Sequence, residues 1–214
     1  MREPTAVQQT RRDVGPITDR GAARRRQLLD AARRVFERQG FTDARVADIV
    51  KEAHASHGTF YTYFDTKEAI FVEVARTVIE DMHEDMAVAV PTSGLDLRVH
   101  DAIDRFIHAY RPNAAIIALM EQLALDSVEM RALRLDLRDS FVQRTRRGIE
   151  RMQADGSVPA DLDVEYTAEA LGAMLEYTCH LWFSLGKEFE ERRLADALAG
   201  IWFATLHPEG HGAP

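Results

Sequence analysis

Apolar residues recur at helical spacing through almost the whole chain. Leu28, Leu29, Ala32, Val35 and Phe36 form the inner face of a helix predicted from about Asp19 to Gln39, with Gly40 where a C-terminal cap belongs. Beginning near Arg45, a shorter face of Val46, Ile49 and Val50 follows. Ala53-His54-Ala55 breaks it, and Ser56 stands where an N-cap is wanted for a second short helix, from His57 to about Tyr63. A longer helix starts after Asp65-Thr66, either of which can cap it, and carries Ile70, Phe71, Val74, Val78 and Met82 to about Val90. Pro91-Thr92-Ser93-Gly94 is the clearest break in the chain. After it, helical patterns occupy 96–110, 112–126, 128–154, 163–186 and 190–206, one opened by Pro112 and one closed by Asp155-Gly156-Ser157-Val158-Pro159. No strand-like alternation, internal repeat or low-complexity tract interrupts them. The pattern predicts an all-α fold of about nine helices.

Two short helices joined by a tight turn make a helix-turn-helix, whose second helix enters the DNA major groove. At roughly 100° per residue, Phe60 and Phe64 fall on one side of that helix, where they can pack on Ile49. Gly58, Thr59, Tyr61 and Thr62 fall on the other side, with His57 exposed in the first turn. These are small or hydrogen-bonding groups, suited to base edges, thymine methyls and phosphates. Glycine inside a helix costs about 1 kcal/mol relative to alanine, so Gly58 is best explained by close approach of the backbone to DNA. The same residues also describe an ordinary helical hairpin with an aromatic core.

The run from Ser56 to Phe71, SHGTFYTYFDTKEAIF, resembles the signature of the tetracycline-repressor (TetR) family of bacterial transcription regulators. Ser56, Gly58, Thr59, Phe60, Tyr61, Tyr63, Phe64, Lys67 and Glu68 are among the matching positions. The upstream arginines, the Gln39-Gly40-Phe41 corner and Ala47-Asp48-Ile49 are similar too, so the strong resemblance covers roughly 21 to 74. The chain departs from the pattern at the turn, with His54 where the family usually has glycine. The resemblance implies a flexible basic arm (1–19), a three-helix DNA-binding head (20–67) and a helical effector-binding and dimerisation body (68–214). It implies DNA contacts from Arg24, Arg45, Ser56, His57, Gly58, Thr59, Tyr61, Thr62, Tyr63 and Lys67, with Arg45 and Lys67 directed to phosphates. Arg11 and Arg12 in the arm fit trailing contacts to DNA and fit a tail without function equally.

Net charge is −8, which at first argues against nucleic acid, but its distribution argues for it. Residues 1–67 hold 13 Lys and Arg against 9 Asp and Glu, whereas 68–214 hold 14 against 26. A basic end on an acidic body turns the first toward phosphate and keeps the second away. Cys179 is the single cysteine, so no intrachain disulfide can form. No apolar run reaches the length of a membrane span, and no apolar stretch follows the N-terminal arginines as in a secretory signal. The expected location is the cytoplasm.

On the last two helical segments, Leu171, Leu175 and Trp182 lie along one stripe and Leu194, Leu198, Ile201 and Trp202 along another. Small residues such as Gly172, Ala197 and Gly200 would permit close approach. The resemblance implies that these stripes pair with their copies in a homodimer, which suits a two-fold symmetric operator. It also implies an effector pocket among the middle helices. Candidate lining groups are Phe106, Tyr110, Met120, Leu123, Met130, Phe141, Tyr177, His180 and Phe183, with Glu121, Gln122 and Glu176 as polar anchors. That list suggests a small hydrophobic or aromatic effector. Taken singly, each of these side chains fits plain core packing at least as well.

Cys179-His180, His100 and His108 offer metal ligands, but no CxxC, HxxxH or HExxH spacing exists, so no metal or other cofactor is expected. Neither a G-x-S-x-G elbow nor a glycine-rich phosphate loop is present, and no residue is assigned a catalytic role. The reading is a palindrome-binding repressor released by its effector. A ligand-responsive activator, a protein-binding module and a helical carrier without DNA binding are the alternatives.

Overall fold

A computed structural model describes residues 19–87 and 94–207, and the described residues form α-helices without strands. The proposed N-terminal arm with Arg11 and Arg12, the end of the fourth helix at 88–90, and Pro91-Thr92-Ser93 lie outside the described residues.

Helix α1 (Asp19–Asp43) buries Leu28, Ala31, Ala32, Val35 and Phe36. Its regular path stops at Gly40, whose φ of 74° is a region that glycine enters without steric cost. The chain then swings Phe41 back, so that its ring centroid lies 5.7 Å from Phe36 and 5.2 Å from Phe71. These three aromatics form the base of the head. Helices α2 (Val46–Glu52) and α3 (His57–Tyr63) pack over them through Ile49, Val50 and Phe60. Burying one such large apolar side chain contributes about 1.5–3 kcal/mol, which is why short helices of low intrinsic stability persist here.

Helix α4 (Lys67–Ala87) begins with Thr66, whose Oγ1 accepts from the Ala69 N–H at 3.0 Å. It is buried along its length, from Ile70 and Phe71 in the head to Met82 and Met86 in the body. The body follows as α5 (Leu95–Tyr110), α6 (Ala114–Ala124), α7 (Val128–Ala154), α8 (Val164–Cys179) and α9 (Glu191–Leu206). Helix α5 lies between α4 and α9, α6 packs on α7, and α7 on α8. Ser127, Asp163 and Glu190 cap α7, α8 and α9 by accepting backbone N–H bonds in the first turn.

Two predicted helices differ in detail. The pattern over 112–126 opens with a 3-10 turn, Arg111–Asn113, with Pro112 in the first turn, where its missing N–H is tolerated. The pattern over 163–186 widens into a π-type turn, His180–Ser184, in which the Leu185 N–H reaches the His180 carbonyl at 3.1 Å. Among the described residues, no helix is long and apolar enough to cross a membrane.

Candidate nucleic-acid interface

The head surface is set by a turn whose geometry the sequence leaves strained. At the end of α2, the Ala55 N–H reaches the Val50 carbonyl at 2.8 Å and the His54 N–H reaches Lys51 at 3.2 Å. This is the Schellman arrangement, which places a left-handed residue just past the helix. His54 fills that position with φ 47°, the sole positive φ among the described non-glycine residues. Ser56 then caps α3: its Oγ accepts from the Thr59 N–H at 3.1 Å.

One side of α3 is closed. Phe60 and Phe64 are buried, with Arg25 stacked over Phe64. The other side is open: His57, Gly58, Tyr61 and Thr62 are exposed, Tyr61 by half. Thr62 donates to the Gly58 carbonyl at 2.9 Å. Thr59 and Tyr63 are half-buried, and the Thr59 hydroxyl is engaged with Ser56 Oγ at 2.9 Å. A Cβ added to Gly58 would meet only Ser56 Oγ, at 3.7 Å. Nothing within the chain therefore requires glycine there.

Around this face, Arg45 is exposed at the start of α2 and its guanidinium has no partner among the described residues; its backbone N–H is capped by Asp48 at 3.2 Å. Arg24 donates to Gln27 at 2.8 Å and remains half-exposed. Lys67 is different. Its Nζ donates to the carbonyls of Phe41 (2.7 Å) and Ala44 (2.9 Å) and sits 4.3 Å from the Phe41 ring centroid. In the chain alone this ammonium satisfies carbonyls left free where α1 ends, and ties α4 to the α1–α2 corner.

The body holds a cavity of about 500 Å³, partly open to solvent, between α4, α5, α7, α8 and α9. Of the expected lining groups, Phe106 and Phe141 are on its wall, their rings 4.6 Å apart. Tyr110, Met120 and Met130 are core residues away from it, Leu123 packs against the core, and Tyr177 is exposed, stacked on His180. Phe183 stacks on Trp182 outside it. Glu121 and Glu176 are not free anchors: Arg134 binds both, and Arg138 binds Glu176 at 2.8 Å. His180 lies 3.3 Å from Glu121. The periodicity gave each helix a face but not the neighbour that face would meet.

The cavity also takes in residues that were not foreseen: Met86 from α4, and Arg98, Arg105, Arg144 and Arg151 from α5 and α7. Their signal was present, since Arg144, Gly148, Arg151 and Asp155 share one helical stripe. Leu175 and Trp202, expected in the dimer interface, line this cavity instead, while Leu171 and Leu198 are buried in the single chain. Trp182 and Leu194 are half-buried, and Ile201 is half-exposed. Burial pushes the Cys179 thiol up to about 12, so it stays protonated. Among the described residues, no group of three or more His, Cys, Asp or Glu is placed to hold a metal ion.

Residues 28–74 match the family described as bacterial regulatory proteins, tetR family, and 99–207 match the C-terminal domain of the transcriptional regulator EthR. An uncharacterized HTH-type transcriptional regulator of Bacillus subtilis, YdgC, is 26% identical over 91% of this chain and 98% of its own length. EthR of Mycobacterium tuberculosis is 26% identical, covering 88% of this chain and 89% of that protein. Among solved structures, Salmonella enterica GusR matches with a TM-score of 0.72 at 20% identity, over 90% of this chain and 99% of that one.

Proposed function

Since the chain belongs to the tetR family of bacterial regulatory proteins, and is thus a DNA-binding transcription regulator, we propose that it acts as a homodimeric repressor of a palindromic operator, released by a small effector. One observation carries the proposal: the open face of α3 presents His57, Gly58, Tyr61 and Thr62 while Phe60 and Phe64 hold its back. Two such faces related by a two-fold axis read half-sites about one helical turn apart. Tyr177 near the end of α8, Leu185 just past the π-type turn and Ile201 on α9 are large apolar side chains left exposed, with Ala197 and Gly200 on the same helix as Ile201. They support a second copy covering this end of the body.

Helix α4 supplies the link to the effector. Lys67 fastens its first turn to the head, and Met86, nineteen residues on, lines the cavity. At ~1.5 Å per residue that rigid element spans about 28 Å. An occupant that shifts Met86 re-aims α3, provided it binds the released state more tightly than the DNA-bound one. Selecting bound fragments from a random duplex pool tests the proposal. The expected product is a two-fold symmetric site whose affinity falls steeply with salt and is lost on Tyr61→Ala. Recovery of no enriched sequence, or binding indifferent to salt, would count against it.

A further inference from the structure

The cavity wall is chemically divided. Phe106, Phe141, Ile149, Trp202 and Leu206 make one part apolar. Elsewhere on the wall stand four arginines, Arg98, Arg105, Arg144 and Arg151, against two aspartates, Asp101 and Asp155. Arg105 pairs with Asp101 at 2.5 Å and Arg98 with Asp155 at 3.6 Å. That leaves two positive charges on the wall without a matching carboxylate, within a body that is strongly acidic overall. Arg144 has no carboxylate within ion-pair distance among the described residues, and Arg151 donates to the Arg147 carbonyl at 3.1 Å.

Holding Arg144 there is unfavourable. Burial disfavours its charge first, and Arg105, Arg147 and Arg151 act in the same sense against the weaker help of Asp101. An ordinary solvated arginine face disperses such charge and pairs it along the helix, as Arg146 does with Glu150 at 2.9 Å. Between Arg144 and Arg151 on the same stripe lies Gly148, and a Cβ added there would meet nothing within 4 Å. Trp202 adds a buried indole N–H without a partner among the described residues. A half-buried Arg144 without a carboxylate, with the exposed Arg151 beside it and an apolar wall adjoining, is completed by an anion that carries an apolar body.

We propose that the effector is an anionic amphiphile, its apolar chain lying along Phe106, Phe141 and Trp202 and its carboxylate or phosphate head held by Arg144 and Arg151. The proposal rests on the reading of this cavity as the effector site and specifies the ligand class.

The test uses the full-length protein and its recovered operator, with dodecanoate, dodecyl phosphate and dodecan-1-ol below their micellar concentrations, and acetate and inorganic phosphate as heads alone. Calorimetry reads binding and fluorescence anisotropy reads operator release in the same samples. At least one anionic ligand should bind about tenfold or more tightly than the alcohol, and the isolated heads should not bind. The order of the two anionic ligands tells carboxylate from phosphate. Arg144→Ala should erase the preference for the charged head while leaving the alcohol's affinity unchanged, and Arg144→Lys should restore part of it. Gly148→Leu, which fills open space, should abolish binding of all three without lowering the melting temperature. Equal binding of alcohol and anions, or a preference that survives Arg144→Ala, overturns the assignment of the head and leaves the effector reading intact. Binding that leaves operator affinity unchanged sinks the effector reading instead, while failure of all three ligands to bind overturns the proposal.

Discussion

At the scale of single residues, His54 and Lys67 show how position decides what a side chain is worth. A left-handed backbone costs a residue with a Cβ about 1–2 kcal/mol, and glycine largely escapes that cost. With φ at 47° and an exposed side chain, His54 should be improved by glycine. His54→Gly is expected to raise stability in urea unfolding by about 1 kcal/mol, and His54→Val to lower it by at least as much. Lys67 was read from its place in the motif as a phosphate contact, and the structure assigns its ammonium to backbone carbonyls. The two roles give opposite readouts. A phosphate contact would cut the slope of log affinity against log salt by about 1 and leave stability alone. A carbonyl tie leaves that slope nearly unchanged, while Lys67→Met lowers stability by about 1–3 kcal/mol, and the second outcome is expected. Sequence could not reveal this, because Lys67 acts on carbonyls more than twenty positions away in the chain.

At the scale of elements, most of the fold was legible, because a helix that buries one face must repeat its apolar residues at its own period. The segments predicted as 128–154 and 190–206 lie within a residue of α7 and α9. What periodicity cannot supply is the partner of a face. Leu171, Leu175, Leu198 and Trp202 form stripes as expected, yet α8 and α9 turn them into their own chain. Glu121 and Glu176 were legible as polar anchors for a pocket but not as the arginine-bound links between α6, α7 and α8 that they are. Helix α3 allows a sharper test, since Gly58 lies inside a helix with room for a methyl group. Gly58→Ala should stabilise the protein by up to about 1 kcal/mol, because alanine favours the helix and loses less entropy on folding. In anisotropy titrations it should weaken operator binding about tenfold, as the added methyl holds the backbone off the DNA. A variant that is more stable and binds equally well would remove the argument for close approach.

At the scale of the whole molecule, the question is how a cavity in an acidic body can govern a basic head. Helix α4 is one route, and Arg33 of α1 marks another. Its guanidinium donates to the Pro112 carbonyl and to Asn113 Oδ1, both at 2.9 Å, and lies 3.5 Å from Asp81 on α4. Asn113 is buried and donates in turn to the Ala109 carbonyl at 2.8 Å, one turn of α5 beyond Phe106 on the cavity wall. One side chain of the head thus grips the corner between α5 and α6. Position between two sites is only an association; the physical warrant is a change in coupling free energy. Coupling is reciprocal, so the ratio of effector affinities with and without operator equals the ratio of operator affinities with and without effector. Arg33→Ala should leave effector binding to the free protein unchanged, because Arg33 does not line the cavity. It should also leave the α3 surface in place, and reduce the coupling ratio by about fivefold, or about 1 kcal/mol. Measuring both ratios closes the cycle and separates lost coupling from simple loss of stability, which would depress operator affinity with and without effector alike. If the ratio is unchanged, α4 alone carries the signal and the Arg33 grip is a structural tie between head and body.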